Sequence, residues 1–518
     1  MKTELLSMST SGLENIEIER LQSFLVQQGH NVNHIHLNGN NDDDKNTTYL
    51  DLNCKLYIMS IYSESSVYPE SLLFFSSLAR RVKAEITDSI IFFIGKFASI
   101  YYKEILRDER FNYIDYIVLG DCEYTIATLI ENIEKSTDLS EFVLHNNNIA
   151  SRTSMDNKEF ASIDINELPL PNRDFITKNK PFTENYYAFI NDSHGCSMKC
   201  AFCTRGQFYQ RWTGRSAESI FNEIKEIREN SKIKCFWFTG GSFEDPGGEK
   251  GQKKIRDFCE LVLRNNLNVS MRCYLRSNFI SMVDDDLFLL MKKAGFHVAL
   301  VGIESGNEQD LKLYNKGTTV EKNKVALKRL KRAGIYADHF GFIMINPYST
   351  MERLKANFLF LEEHQPHDLD NYVHHLVADP GTEIRKKIEK DRLLIHTDDF
   401  LKQGTSYRFL NKDVEEVSRF LRKHFLIFDT ETAGISTFIF HFAPFISNGQ
   451  IYEEETTILM QKRAKSFSDY FRALYLDFDI GFCERTYSDF MDMFKNYNLE
   501  LEVIKNKLIK ELIKYRIM

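Results

Sequence analysis

The chain has 518 residues, too many for one ordinary domain, and 43% of them are apolar, so we expect two or three domains with sizeable cores. The net charge is −8 and the lysines are scattered, which argues against a large nucleic-acid footprint, because such a footprint needs a basic face. The amino-terminal segment lacks the apolar core of a signal peptide, and no apolar run is long enough to predict a membrane span. We therefore expect a cytoplasmic protein with neither a membrane nor a nucleic-acid partner.

The first 140 residues alternate between strand-like and helix-like segments. Helical periodicity at residues 11–30, 69–82 and 100–108 separates short apolar runs of strand character. This alternation predicts an α/β domain with a doubly wound parallel sheet of five strands. The strand-like runs lie at residues 3–9, 32–38, 55–63, 89–99 and 113–123.

Residues 141–184 lose the alternation, and Pro169 and Pro171 lie close together there although the chain has only nine prolines. A proline disfavours helix at the residue before it, so this segment is predicted to be an extended linker between residues 1–140 and the next domain.

Strand and helix signals return over residues 185–390. Two basic helices in succession stop at Gly295 and Gly334, and an apolar strand follows each of them at once. Repeated units of this kind predict a partial barrel of six strand–helix pairs, although element order alone also fits a second open sheet. The predicted helix starts are an N-cap at Ser216 and capping boxes at Thr318 with Glu321 and at Ser349 with Glu352.

Residues 391–518 are rich in aromatic residues and mostly helical in pattern. No chemical motif is legible there. We predict a helical C-terminal domain that caps the barrel or shapes the substrate site.

The stretch HGCSMKCAFC contains Cys196, Cys200 and Cys203, three of the nine cysteines of the chain. Three thiolates on one short loop suit an iron–sulfur cluster or zinc. A structural zinc site needs a fourth ligand, and the chain offers no second CxxC pair, only His194 or distant single cysteines. A four-iron cluster held by three cysteines leaves one iron open, which is the mark of a catalytic metal centre.

The spacing CxxxCxxC, with Phe202 before the last cysteine, resembles the signature of the radical S-adenosylmethionine (SAM) superfamily. The resemblance implies a [4Fe–4S] cluster whose open iron chelates SAM, and Phe202 against the adenine. In this family, reduction of the cluster cleaves SAM to a 5′-deoxyadenosyl radical, which abstracts hydrogen from an unactivated carbon. An electron donor such as flavodoxin or ferredoxin is implied as a partner.

Later segments strengthen the resemblance and suggest a SAM pocket. Ser242 stands where the family commonly has Glu after its two glycines, and Glu244 and Asp245 are the alternatives for that contact. Arg276 suits either the SAM pocket or a salt bridge at the end of the barrel. The resemblance implies SAM-binding roles for Gly240, Gly241, Ser242, Arg276, Ser277, Glu304 and Ser305.

The pairing of a parallel sheet with this barrel resembles the B12-binding (cobalamin-binding) subclass of radical SAM proteins. The segment that supplies a histidine to cobalt in other B12 proteins is absent, so no histidine ligand is expected. Lys96 and Cys122 stand where glycines are usual, and the alternative is a sheet that only walls the active site. The resemblance suggests possible cobalamin contacts at Ser60, Gly95, Gly120 and Glu123.

The leading interpretation is therefore a radical SAM enzyme that carries out cobalamin-dependent methylation of a natural-product or peptide substrate. The first alternative is a cobalamin-free dehydration, deoxygenation or epimerisation with a vestigial B12 domain. Transfer-RNA methylthiolation fits less well, because too few N-terminal cysteines exist for a second cluster. A zinc-stabilised binding protein is the non-enzymatic alternative.

Overall fold

The computed structural model describes residues 2–9, 14–38, 54–61, 68–135, 139–177, 187–397, 399–425 and 431–515. Its N-terminal sheet has the strand order β2-β1-β3-β4-β5-β6, in which the first five strands are parallel and β6 is antiparallel. The five predicted parallel strands are confirmed, and the sixth was not predicted. The strands are β1 (Lys2–Ser9), β2 (Asn31–Asn38), β3 (Leu56–Ser60), β4 (Ile90–Ile94), β5 (Tyr116–Val118) and β6 (Ile149–Ala150).

Helices cover both faces of this sheet, as a doubly wound fold requires. Because strand side chains alternate between faces, Ile58 packs with the helices that follow β1 and β5, whereas its neighbour Met59 packs with helices that lie between β3 and β4 and between β4 and β5. Gly29 ends the first helix with a positive φ of 85°. The helices are α1 (Ile16–Gln27), α2 (Tyr68–Glu85), α3 (Lys96–Ile100), α4 (Tyr102–Arg107), α5 (Glu123–Glu134) and α6 (Leu139–His145).

Helix α6 and strand β6 lie at the start of the segment predicted as a linker. Beyond them the chain returns to the end of β5, where Ala161 forms a parallel bridge with Gly120. Ile163 then donates its backbone N–H to the Asp121 carboxylate, over 2.7 Å. This part of the predicted linker is therefore packed onto the sheet. The domain limits 1–140, 141–184, 185–390 and 391–518 stay a prediction.

The second sheet is parallel throughout and has the order β13-β12-β11-β10-β7. A further parallel bridge joins Ile345 to His375, in the segment that follows β13. A two-stranded hairpin, β8–β9, lies directly after the first barrel strand. The strands are β7 (Ala188–Ile190), β8 (Ser193–His194), β9 (Thr213–Gly214), β10 (Cys235–Phe238), β11 (Ser270–Arg276), β12 (Phe296–Gly302) and β13 (Tyr336–His339).

Gly295 and Gly334 end helices in the left-handed conformation, as predicted, and Ser216 is confirmed as an N-cap. Two other helix starts were predicted one residue early, because the capping hydroxyls belong to Thr319 and Thr350. The helices are α7 (Asp174–Thr177), α8 (Arg205–Tyr209), α9 (Ala217–Asn230), α10 (Gly248–Arg264), α11 (Ser277–Met282), α12 (Asp285–Ala294), α13 (Glu308–Leu313), α14 (Val320–Ala333), α15 (Met351–His364), α16 (Asp370–Val373) and α17 (Glu383–Lys390).

The C-terminal region is helical, as predicted, and one of its helices packs against the barrel strands. His441 of α19 hydrogen-bonds to Ser270 over 2.6 Å, and the ring of Phe440 stacks on Tyr336 at 4.1 Å. Among the described helices, none is long and apolar enough to cross a membrane. The helices are α18 (Lys412–His424), α19 (Glu431–Phe442), α20 (Gly449–Tyr475) and α21 (Ile480–Lys514).

Candidate active site

The three cysteines lie on one loop at the carboxyl end of strand β7. Strands β8 and β9 pair on either side of this loop and hold its two ends together. Gly195 makes the turn possible, because its φ is +75° and a Cβ there would stand 2.3 Å from the carbonyl oxygen of Arg211. The β8–β9 pairing and the turn at Gly195 therefore set the path of the cysteine loop at its two ends.

The thiols are placed at different depths. Cys203 is exposed, whereas Cys196 and Cys200 are half-buried. Burial and the Asp245 carboxylate raise the pKa of the Cys196 thiol to about 12. Burial also raises the pKa of Cys200, against a lowering effect of Lys316. Iron binding requires thiolates, so a cluster would displace protons from these groups.

The donor set fits a [4Fe–4S] cluster. Cys203 interacts electrostatically with both Cys196 and Cys200, so the three sulfurs share one neighbourhood. Within the described ranges, no three His, Cys, Asp or Glu side chains converge on one point that could hold a metal ion. A four-iron cluster does not require such convergence, because each thiolate binds a different iron.

Gly240 and Gly241 follow strand β10 and pack directly against the cysteine loop. The N–H of Gly240 donates to Asp192 over 3.0 Å. A Cβ on Gly241 would stand 2.3 Å from the Gly195 carbonyl oxygen and 2.8 Å from the Cys196 Cβ. Gly241 is therefore required by the close approach of the loop, whereas Gly240 lies against the side chains of Asp192 and Ser193.

Arg276, at the end of β11, neutralises two fully buried carboxylates. Its guanidinium lies 2.8 Å from Glu244 and 2.8 Å from Asp245. Asp245 in turn accepts from the hydroxyl of Ser197, on the cysteine loop, over 2.6 Å. Ser242 donates to Glu244 over 2.5 Å, so it is tied into the same network. Arg276 therefore forms the salt bridge that was one of its two expected roles, and its role in a SAM pocket stays a prediction.

Glu244 and Asp245, the alternatives to Ser242 for a SAM contact, are thus engaged by Arg276. Burial raises the pKa of Glu244, and Arg276 opposes that rise. The same two carboxylates outweigh the effect of burial on Arg276 and raise its pKa. Arg276 is therefore a fixed cation beside Ser197.

The other predicted SAM residues fall into two groups. Ser277 begins α11 and donates to Thr318 over 3.1 Å, and the ring of Phe202 meets that of Tyr314 edge-on at 5.6 Å. Ser305 is fully buried and donates to Asn357 over 2.8 Å, so its hydroxyl is used within the protein. The SAM-binding roles of these residues stay predictions.

Two residues that the sequence did not single out belong to this site. Asp192 fixes Gly240, and it is buried behind the cysteine loop. Lys316 reaches Glu304 over 2.6 Å and interacts electrostatically with Cys200 and Cys203. Neither residue was assigned a role from the sequence, because each contacts residues that are distant in sequence and periodicity does not report such contacts.

His194 joins the cysteine loop to the N-terminal domain. Its Nε2 accepts from the guanidinium of Arg20 over 3.1 Å, so the ring proton lies on Nδ1, which faces Asp121 at 3.5 Å. The imidazole also stacks on the ring of Tyr209 at 4.6 Å. His194, considered above as a fourth zinc ligand, is therefore engaged at the domain interface.

Two of the four positions suggested for cobalamin lie in a closed part of the N-terminal sheet. Gly120 has a φ of +82°, and a Cβ there would stand 2.2 Å from the carbonyl oxygen of Ala161. Glu123 is buried at the start of α5, where burial and Asp121 raise the pKa of its carboxyl group. Cys122 is the N-cap of the same helix. The close approach at Gly120 is made by the protein's own backbone.

The other two positions, Ser60 and Gly95, end the neighbouring strands β3 and β4. Ser60 accepts from the Asn15 side chain over 3.1 Å. Lys96, which was expected either to pair with a phosphate or to fill the groove, interacts with the buried carboxylate of Asp379. In this strand order the topological switch point lies between β1 and β3, where a ligand is expected. Ser60 lies at this switch point, and the cobalamin contacts suggested for Ser60, Gly95, Gly120 and Glu123 stay predictions.

Comparison with known proteins places residues 190–361 within the model of the Radical SAM superfamily. The chain is 25% identical over 324 residues to an uncharacterized methyltransferase of Pyrococcus horikoshii, which covers 61% of this chain and 67% of that protein. It is 26% identical over 307 residues to an anaerobic magnesium-protoporphyrin IX monomethyl ester cyclase of Rubrivivax gelatinosus, covering 57% of this chain and 52% of the relative. The chain thus spans two thirds of the first relative and about half of the second.

Solved structures share the fold over nearly the whole chain. The cobalamin-dependent SAM radical enzyme OxsB with aqua-cobalamin bound aligns with a TM-score of 0.71 at 17% identity, over 99% of this chain and 80% of that one. The radical SAM methyltransferase TsrM of Kitasatospora setae, with cobalamin and a [4Fe–4S] cluster bound, aligns with a TM-score of 0.56 at 16% identity, over 76% and 75%. The cysteine loop lies within the stretch that matches the Radical SAM superfamily, residues 190–361, and the chain has the fold of these two solved structures.

Proposed function

We propose that the chain is a radical SAM enzyme that methylates an unactivated carbon of a natural-product or peptide substrate in a cobalamin-dependent reaction. One observation carries this proposal: the cysteine loop packs against Gly241 of the barrel, and His194, just before the loop, contacts Arg20 and Asp121 of the N-terminal domain. The likeness to an uncharacterized methyltransferase and to cobalamin-dependent radical SAM enzymes supports it.

The chain's own residues have separable tasks in this proposal. Cys196, Cys200 and Cys203 hold the cluster, while Gly240 and Gly241 let the strand end approach it closely. When bound, the cluster and SAM supply a 5′-deoxyadenosyl radical, and cobalamin supplies the methyl group. Flavodoxin or ferredoxin is the class of electron donor that we propose as partner.

Product analysis tests the radical reaction. Anaerobically purified protein should contain iron and sulfide, and after reduction with SAM it should release 5′-deoxyadenosine. The variant with Cys196, Cys200 and Cys203 all changed to Ala should lose both the iron and the product. Unchanged iron content in that variant, or release of S-adenosylhomocysteine alone by the parent protein, contradicts the proposal.

A second candidate is a cobalamin-free dehydration, deoxygenation or epimerisation. The closure of the β5 end by Ala161 favours it, because a vestigial B12 domain needs no open crevice. Reconstitution with hydroxocobalamin, followed by desalting, separates the two candidates. Stoichiometric retention of corrinoid supports methylation, whereas no retention supports the second candidate.

A further inference from the structure

A short segment, Tyr314–Gly317, grips the middle of the cysteine loop. We call these four residues the loop clamp. The carbonyl oxygen of Tyr314 accepts from the N–H of Ala201 over 2.8 Å, and the Asn315 side chain donates to the carbonyl oxygen of Lys199 over 2.8 Å. Two successive residues of the clamp therefore bond to the backbone between Cys196 and Cys203.

The third clamp residue, Lys316, turns inward. Its side chain is 10% exposed, and its ammonium lies 2.6 Å from the carboxylate of Glu304, which is 9% exposed. Gly302 leaves the space for this contact, because a Cβ there would stand 2.5 Å from the lysine Nζ. Burying an ammonium costs desolvation free energy, and that cost is offset only by a well-placed opposite charge and hydrogen bonds. Here Glu304 supplies the opposite charge.

Glu304 is held in an unusual backbone conformation to make this pair. Its φ is +65°, in the left-handed region, which residues other than glycine rarely adopt. Gly341 lies against the same carboxylate, since a Cβ there would stand 3.2 Å from Oε2. Backbone strain of this kind clusters at functional sites.

The ammonium of Lys316 lies close enough to two of the proposed iron ligands to interact with them electrostatically. Lys316 interacts electrostatically with both Cys200 and Cys203. Tyr314 and Asn315 bond to the backbone of Ala201 and Lys199, on either side of Cys200. Lys316, the next residue of the clamp, therefore brings its ammonium to this part of the loop.

We propose that Lys316 is a positioning residue that places a fixed positive charge beside the cluster and thereby raises the reduction potential of the cluster. The inference rests on the proposed function, since it requires the three cysteines to hold iron. Reduction adds one negative charge to the cluster, and a nearby buried cation stabilises that charge. The loop clamp keeps the ammonium in place while the cluster changes charge.

Four variants of the full chain, reconstituted with iron and sulfide, test the inference by potentiometric titration followed by electron paramagnetic resonance. Lys316→Met keeps the length of the side chain without its charge and should lower the reduction equilibrium constant at least tenfold, about 59 mV for one electron. Lys316→Arg keeps the charge and should stay close to the parent protein. Glu304→Gln removes the opposing charge and should shift the potential upward.

Asn315→Ala is the matched control, because it weakens the grip of the clamp without changing any charge. Its reduction potential should match that of the parent protein. If the clamp acted only by shaping the loop, a change in the potential of this variant would be expected. If the parent protein binds no iron, the proposed function fails first. If Lys316→Met keeps its iron and its potential is unchanged, the inference alone is overturned. If Lys316→Met loses its iron, Glu304→Gln decides the test. An unchanged reduction potential in Glu304→Gln overturns the inference about Lys316, and an upward shift supports it.

Discussion

The barrel sheet and the N-terminal sheet both end on glycines at their carboxyl edges, and these glycines serve different neighbours. Gly241 of the barrel lies against the cysteine loop, whereas Gly120 of the N-terminal sheet lies against Ala161. The first contact brings a strand end to the iron ligands. The second seals a strand end with a segment that connects the two domains.

The two positions show that the reason why glycine is required and the identity of the group that lies against it are separate questions. At Gly120 the φ of +82° and the lack of space each require glycine. Gly241 does not have a positive φ, so only the space beside Cys196 requires it. A glycine at a strand end therefore predicts a close approach without saying whether a ligand or the protein itself makes it.

Substitution of Gly241 by Ala should have the largest effect on the site. The added Cβ overlaps the Gly195 carbonyl oxygen and the Cys196 Cβ, so the cysteine loop must move. We expect most of the bound iron to be lost while the protein stays folded, as measured by iron and sulfide content and by circular dichroism.

Gly206→Ala is the control for that change. Gly206 lies in α8, soon after Cys203, and a Cβ there would have no atom within 4 Å. Its iron content should equal that of the parent. If Gly241→Ala also keeps its full iron content, the loop does not depend on the glycine pair and the contrast between the two edges is lost.

Replacement of Arg276 by Met tests the barrel edge through its charges. Glu244 and Asp245 are fully buried, and without the guanidinium both would lose their cation. Removing one partner from a buried ion pair costs about 3–5 kcal/mol, so the free energy of unfolding in urea should fall by that order. Arg276→Lys keeps one positive charge and should lose distinctly less stability; equal losses would mean that the charge of Arg276 is not what stabilises this edge.

Much of the fold could be predicted from the sequence, because it depends on local patterns of residues. Apolar runs predicted β3 and β4, which are buried on both faces, and glycines marked the helix ends at Gly295 and Gly334. The cysteine loop was legible for the same reason, since its three ligands are close in sequence. The helix start at Thr319 was misplaced by one residue because two hydroxyl residues are adjacent there.

The remainder depends on contacts between distant segments. The bridge of Ala161 to Gly120 and the reach of Lys316 to the cysteine loop leave no periodic trace in the sequence. The pairing of Arg276 with two carboxylates was only one of two readings, because sequence gives no distances. Burial and contacts between distant segments, rather than secondary-structure propensity, therefore decide which residues pack against the carboxyl edges of the two sheets.

The smallest effect on the cysteine loop, and the most specific effect on stability, is expected at Gly120. In Gly120→Ala the new Cβ would stand 2.2 Å from the Ala161 carbonyl oxygen, in a backbone conformation that alanine disfavours. Gly29→Ala is the matched control, because its φ of +85° is nearly the same and no atom lies within 4 Å of its Cβ position. Backbone strain alone should cost Gly29→Ala about 1–2 kcal/mol of unfolding free energy, and overlap with Ala161 should add about 1–3 kcal/mol in Gly120→Ala. Iron content per folded molecule should stay at the parent value in both variants, since neither glycine touches the cysteine loop. Equal stability losses in the two variants would show that Ala161 does not close the β5 end, and would return Gly120 to the positions open to a ligand.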